Sequence, residues 1–130
     1  MPTASDGLLS TMADRTLPIW SKAGDRPDAK AVANLLRFDN GEVATASRLP
    51  ESKVRLTGRI PPALKKHLVE WAVLLELVAG FFAGDEKKTA VWFNTPNNQL
   101  GGLEPRQYIL FGRARKLREI ILQALSENEP

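Results

Sequence analysis

His67 is the only histidine of the chain, and there is no cysteine, so few residues could perform acid–base or nucleophilic chemistry. A Ser-His-Asp arrangement or a metal centre needs partner side chains around such a histidine. The local sequence supplies Lys66 but no constellation of carboxylates. Gly101-Gly102 also lacks the spacing and the following lysine of a phosphate-binding loop. We therefore expect no catalytic residue, no metal site and no cofactor, and we predict that the chain is not an enzyme.

Basic side chains are concentrated between residues 47 and 66, where Glu51 is the only acid. Such a cluster can neutralise DNA phosphates, and short polar or basic side chains within it can reach base edges. The alternative is a solvated basic face without a ligand. The predicted DNA-binding residues are Arg48, Ser52, Lys53, Arg55 and Arg59.

A second basic group lies at the start of the last predicted helix and consists of Arg113, Arg115, Lys116 and Arg118. Cations are unfavourable at this end of a helix dipole, which suggests that they serve another purpose. Contact with an acidic surface on a partner protein is one interpretation. The alternative is pairing within the helix, for example between Arg115 and Glu119 four residues later.

Length and composition limit the class of protein. The 130 residues fit one domain, and 43% hydrophobic residues are enough for a core. The absence of cysteine excludes a disulfide framework and fits a reducing cytoplasm. No signal peptide is recognisable, and the apolar stretch of residues 68–84 contains Glu70 and Glu76 and is shorter than a bilayer span requires. We expect a cytoplasmic protein without a membrane segment.

The elements that position the first basic group are three short predicted helices. Asp28 follows Pro27 in a helix-start pattern, and residues 39–41 form a turn signal in which Asp39 can cap the next helix, with Glu42 completing a capping box. That helix is predicted to reach residue 49, and Pro50 is predicted to start a third helix that runs through Leu56. Together they suggest a helix-turn-helix pattern.

The longest helix is predicted over residues 63–83, followed by helices over 87–94, 105–111 and 113–126. Its apolar residues form two stripes, which predicts that it is sandwiched between helices or at a dimer contact. No strand of convincing period two is present, so the predicted fold class is all-α. Side chains predicted to be largely buried are Trp71, Leu75, Val78, Phe82, Trp92, Leu117 and Ile121.

The most informative segment joins the helix of Trp92 to the helix that begins at Pro105. Pro96 ends the first helix, and the following pair Asn97-Asn98 suits a turn. The pair Gly101-Gly102 permits positive φ or close approach of another backbone. Leu100 and Leu103 are expected to anchor the loop from below.

The order Trp, Pro-Asn, Leu-Gly-Gly and Pro resembles the Xre/MbcA/ParS family of antitoxins. The resemblance is good over residues 86–125 and looser over residues 28–82. It departs from the family at Glu104, where a serine or threonine cap is usual, and in the compressed turn at residues 48–50. The resemblance implies a helical toxin-binding domain after an Xre-like helix-turn-helix, and a partner that is a RES-domain toxin degrading NAD.

The sequence thus predicts a flexible arm over residues 1–24, a helix-turn-helix-like region over 25–62, and a toxin-binding region over 63–130. The function implied is that of an antitoxin that occludes a RES-domain toxin and represses its own operon as a homodimer on operator DNA. The alternative is a helix-turn-helix transcriptional regulator without a toxin partner. The predicted toxin-binding residues are Pro96, Asn97, Leu100, Gly101, Gly102, Arg113, Arg115, Lys116 and Arg118.

Overall fold

Six α-helices make up the part of the chain that the computed structural model describes, residues 15–127, and no β-strand occurs in that range. The predicted all-α fold class is confirmed. The predicted flexible arm lies outside the described residues over positions 1–14. The helices are α1 (Ala29–Leu36), α2 (Asn40–Ser47), α3 (Pro62–Phe81), α4 (Glu86–Phe93), α5 (Pro105–Leu110) and α6 (Ala114–Glu127).

The capping signals read from the sequence are confirmed at the first two helices. The Asp28 carboxylate accepts a hydrogen bond from the N–H of Ala31 at 3.1 Å at the start of α1. At the start of α2, the Asp39 carboxylate accepts from the N–H of Glu42 at 2.8 Å, and the Glu42 carboxylate accepts from the N–H of Asp39 at 3.0 Å. Both caps satisfy backbone donors that the first helical turn leaves unpaired.

The predicted third helix, from Pro50 through Leu56, is wrong. Only Glu51–Lys53 form a single 3-10 turn, after which the backbone becomes extended at Val54, with φ −80° and ψ 121°. The reason is tertiary: Val54 is buried in the core, and an extended backbone delivers this β-branched side chain there. The chain therefore lacks the third helix on which the predicted helix-turn-helix depended.

Helix α3 runs through the middle of the molecule and contacts α1, α4 and α6. The predicted burial of Trp71, Leu75, Val78, Leu117 and Ile121 is confirmed. Among the described residues, no single helix has the length and apolar composition to cross a membrane; α3 and α4 meet that test only as a pair bent by 116°.

Two of the predicted core residues, Phe82 and Trp92, are only partly buried. Helix α3 ends at Phe81, so Phe82 is its C-cap and leaves the helical stripe. In α4 it is Phe93 that is fully buried, with the ring of Trp92 edge-on to it at 4.9 Å between centroids. Trp92 therefore lies at the border between core and surface.

The segment before α1 belongs to the core, which corrects the predicted flexible arm for residues 15–24. Leu17 and Ile19 are buried, and the side chain of Trp20 is packed against the core, as expected of an aromatic that pins this segment. The physical reason is a buried acceptor on α3. The Glu76 carboxylate accepts hydrogen bonds from Thr16 Oγ1, from Leu17 N and from Trp20 Nε1, at 2.8, 3.0 and 2.7 Å.

The regions predicted as separate units, residues 25–62 and 63–130, share one hydrophobic core within the described part of the chain. Arg106 on α5 links them. Its guanidinium donates from both terminal nitrogens to one oxygen of Glu42 on α2, at 3.1 and 3.2 Å, and lies 5.5 Å from the centre of the Phe38 ring. The residue 62/63 boundary therefore does not divide the molecule into two independent cores.

Candidate partner-binding site

Asn97 organises the loop between α4 and α5. Its N–H donates to the carbonyl of Leu103 at 3.0 Å, and its own carbonyl accepts from the N–H groups of Leu100 and Gly102. Its side-chain oxygen accepts from the N–H of Gln99 at 2.8 Å. Backbone turns this tight need left-handed residues, and Gly101 and Gly102 supply them, with φ 68° and 84°. The loop is thus internally hydrogen-bonded.

Leu100 anchors this loop from below, as predicted, because its side chain is 3% exposed. Leu103 is only partly buried. After the loop, the side chain of Gln107 accepts a hydrogen bond from the N–H of Glu104 at 2.8 Å, and Pro105 begins α5. Glu104, which departs from the family pattern, also forms an ion pair with Arg106 at 3.2 Å. The loop is therefore fixed at both ends.

An apolar groove, here called the loop groove, lies between this loop, the C-terminal end of α3, α4 and α6. It consists of two adjoining cavities of about 280 and 370 Å³ that share Phe82, Trp92 and Asn97. Phe81 and Val91 on its walls are 45% and 57% exposed, which is unusual for side chains of this size. Its other lining residues include Val78, Lys87, Lys88, Pro96, Leu100, Ile120 and Ile121.

The predicted toxin-binding residues fall into two places. Pro96, Asn97 and Leu100 line the loop groove, and the exposed Gly101 and Gly102 follow directly in the loop. The basic group Arg113, Arg115, Lys116 and Arg118 lies at the start of α6, ahead of the groove residues Ile120, Ile121 and Ala124, and lines neither cavity of the loop groove.

Pairing within the basic group differs from the prediction. Lys116, rather than Arg115, approaches Glu119, at 3.8 Å and with both side chains more than half exposed. Arg115 instead lines a cavity of about 440 Å³ together with Arg48, His67 and Glu70. Of the basic group, Arg115 therefore borders a cavity other than the loop groove.

All five predicted DNA-binding residues are exposed. Arg48 is the C-cap of α2, in the left-handed region with φ 58°, and its guanidinium lies beside Gly112. Ser52 and Lys53 are on the 3-10 turn. Arg55 and Arg59 follow it and line cavities next to α1. No helix presents these side chains together.

Comparisons of this chain with protein-family models, with curated proteins and with solved structures found no match.

His67 lies partly buried in the cavity that Arg48 and Arg115 line, with its ring 6.0 Å from that of Trp71. The pKa of His67 is lowered from its ordinary value of 6.5 because burial disfavours the charged imidazolium and Lys66 repels it, while Glu70 acts in the opposite direction. No group of three or more potential metal ligands occurs among residues 15–127.

Glu76 is the structurally important polar residue that sequence reasoning missed. The sequence alone shows Glu76 only as a charged residue that interrupts an apolar stretch. Its side chain is 2% exposed and has three hydrogen-bond donors around it, all from residues 16–20. An acid with apolar residues on both sides, as at residues 72–79 around Glu76, is the signal that could have indicated such a buried acceptor.

Proposed function

We propose that this chain is a partner-binding protein of the antitoxin type, which occludes a RES-domain NAD-degrading toxin in the cytoplasm. The observation that carries the proposal is the loop groove. The segment that resembles the antitoxin family, residues 92–105, folds into a hydrogen-bonded loop whose outer side is continuous with exposed apolar walls. Exposed apolar surface next to a rigid loop is typical of a protein interface.

The chemistry of the groove supports a protein partner over a small polar ligand. Phe81 and Val91 offer apolar area to a partner, and the aromatic rings of Phe82 and Trp92 form the walls between them. Large apolar and aromatic side chains of this kind contribute most of the binding energy in protein interfaces. In this proposal the chain inhibits the toxin by covering the entrance to its active site.

Repression of its own operon as a homodimer stays a prediction. The exposed cations Lys53, Arg55 and Arg59 suit phosphate contacts, which contribute affinity without sequence readout. Replacing all three with alanine should weaken binding to operator DNA and flatten its salt dependence by about one unit of slope per lost contact. An unchanged slope in a mobility-shift titration would refute phosphate contact by these residues.

The antitoxin proposal is tested by NAD consumption of a RES-domain toxin encoded beside this chain. Phe81→Ser removes an exposed aromatic from the loop groove and should weaken inhibition of the toxin by at least about tenfold, as for a central interface aromatic. Phe111→Ser is the matched control, because Phe111 is 54% exposed and lies outside the groove. It should change inhibition by less than about twofold, in keeping with a peripheral position.

A toxin that is not inhibited by the unmodified chain at equimolar ratio would contradict the function itself. Equal loss with Phe81→Ser and Phe111→Ser would contradict the groove as the binding surface. A third variant, Arg115→Glu with Arg118→Glu, reports on the basic group of α6 separately, because neither residue lines the loop groove. If only this variant loses inhibition, the toxin binds at the basic end and the loop groove is not the site.

A further inference from the structure

Residues 55–60 form an open stretch of backbone on the surface. None of their N–H or C=O groups makes a hydrogen bond to another residue within the described range 15–127. This is the stretch that follows the 3-10 turn, where the sequence predicted the end of a helix. Backbone donors and acceptors of this kind are obligatory hydrogen-bonding groups, so water or a ligand must satisfy them.

The open stretch borders a groove beside α1, here called the α1 groove. It comprises two cavities of about 590 and 470 Å³ that share Lys30, Leu56 and Thr57. Its apolar surface includes Leu56, Ile60 and Leu68, and also Val69, which is 48% exposed. An aliphatic side chain of a ligand would find complementary apolar surface here.

Five cations surround this apolar surface: Arg26, Lys30, Arg55, Arg59 and Lys65. All five are exposed, and none forms an ion pair with another residue in the described part of the chain. The one acid in the lining, Asp28, is already engaged in capping α1. The groove therefore has unpaired positive charge, apolar surface and free backbone groups in one place.

We propose that the α1 groove binds an acidic peptide segment of another protein, one that interleaves carboxylates with aliphatic side chains. Carboxylates would pair with the cations, aliphatic side chains would cover Val69 and Ile60, and the peptide backbone would replace water on residues 55–60. Duplex DNA matches only the first of these features, because its phosphates offer nothing to the apolar surface. This site does not overlap the loop groove, but it includes Arg55 and Arg59 of the predicted DNA-binding residues, so an acidic peptide and operator DNA would compete for them.

The test is fluorescence anisotropy of a labelled short peptide that alternates glutamate with leucine or threonine, titrated with the full chain at an ionic strength of about 0.15 M, where the screening length is about 8 Å. Lys65→Glu should weaken binding about tenfold, which corresponds to about 1.4 kcal/mol. The matched control is Lys66→Glu, the neighbouring exposed lysine, which does not line the groove. It should weaken binding by less than about twofold, because exposed charges that make no direct contact are screened by salt.

Val69→Ser separates the peptide from a nucleic acid. The substitution removes apolar surface without changing charge. It should weaken binding of the peptide severalfold and leave the binding of a labelled DNA duplex of equal charge unchanged. Arg59→Glu reverses a second charge of the α1 groove, at a position outside any helix, and should also weaken binding of the peptide. Circular dichroism of each variant is the folding control. Equal losses in the Lys65→Glu and Lys66→Glu variants would overturn the proposal, since they would indicate unspecific charge attraction. The proposal would also be overturned if duplex DNA displaced the peptide and Val69→Ser did not weaken binding of the peptide.

Discussion

Glu76 shows how one side chain can fix a whole segment. Its buried carboxylate has no cation within ion-pair distance among residues 15–127; instead, two side chains and a backbone N–H stabilise it. Hydrogen bonds to a charged acceptor are stronger than neutral ones, and donors left unpaired in the interior are costly. The residues before α1 are therefore held by polar contacts as well as by the burial of Leu17 and Ile19.

Glu76→Ala should lower the free energy of unfolding by about 2–4 kcal/mol, because it leaves the donors of Thr16, Leu17 and Trp20 without their acceptor. Urea denaturation followed by tryptophan fluorescence measures this loss. Glu70→Ala, on the same helix but only partly buried, is the control and should cost less than about 0.5 kcal/mol. Similar losses for the two variants would show that the three hydrogen bonds contribute little to stability.

His67 gives the stability a pH dependence. Its pKa in the folded chain lies below the ordinary value of 6.5, so the unfolded state binds more protons just below that pH. Stability should therefore fall as the pH drops from about 7.5 to about 5.5, and His67→Gln should reduce this fall. The side chain is partly exposed, so the difference should stay below about 1 kcal/mol. If urea titrations gave the same dependence of stability on pH for the unmodified chain and for His67→Gln, His67 would not be the source of this pH dependence.

At the scale of elements, the ion pair of Arg106 with Glu42 connects α5 to α2. Its side chains are 19% and 29% exposed, and both terminal guanidinium nitrogens bond one carboxylate oxygen. A double-mutant cycle with Arg106→Met and Glu42→Gln should give a coupling energy of about 1 kcal/mol. Glutamine at residue 42 keeps an oxygen for the cap on Asp39.

The exposed pair of Lys116 and Glu119, at 3.8 Å, is the control for this cycle and should couple by less than about 0.5 kcal/mol. A coupling of the Arg106 pair no larger than this would mean that α2 and α5 are held together by apolar packing alone. A clear excess would identify Arg106 as a polar link between the regions that the sequence predicted as separate units.

The elements that could be predicted from the sequence are those with local causes. Asp28 and Asp39 cap their helices through residues three positions away, and Pro105 begins a helix because its ring suits the first turn. The extended conformation at Val54 could not be predicted, because it depends on burial in a core built from distant parts of the chain. The same holds for the contacts of Glu76, whose partners are 56 to 60 residues away.

The candidate site was predictable only in part for the same reason. The residues of the loop around Asn97 are neighbours in the sequence, so the turns that they form can be predicted from residue type and order. The walls of the loop groove come from α3, α4 and α6, and only the folded chain brings Phe81, Trp92 and Ile120 together. The basic residues at the start of α6 line neither cavity of the loop groove, and their predicted contact with a partner stays a prediction.

At the scale of the whole molecule, the described structure presents two surfaces with different chemistry. The loop groove is mainly apolar, whereas the α1 groove combines apolar surface with five cations. Helix α3 contributes to both, through Lys65 and Val69 near its start and Phe81 at its end. Because about 1.5 Å separates successive residues, these ends are roughly 20 Å apart, and two partners could be bound without sharing side chains.

Residues 28–59 are not expected to stay folded when residues 113–130 are removed, because both parts belong to one hydrophobic core. Leu117 and Ile121 on α6 are buried against the common core, together with Ala114. Burying an aliphatic side chain of this size contributes about 1.5–3 kcal/mol, and small domains have only about 5–15 kcal/mol of net stability. We expect a chain ending at residue 112 to lose cooperative unfolding in urea, whereas a chain ending at residue 127 keeps it. A cooperative transition in the shorter chain would show that α6 is accessory, and truncation would then become a valid test of its role in binding a partner.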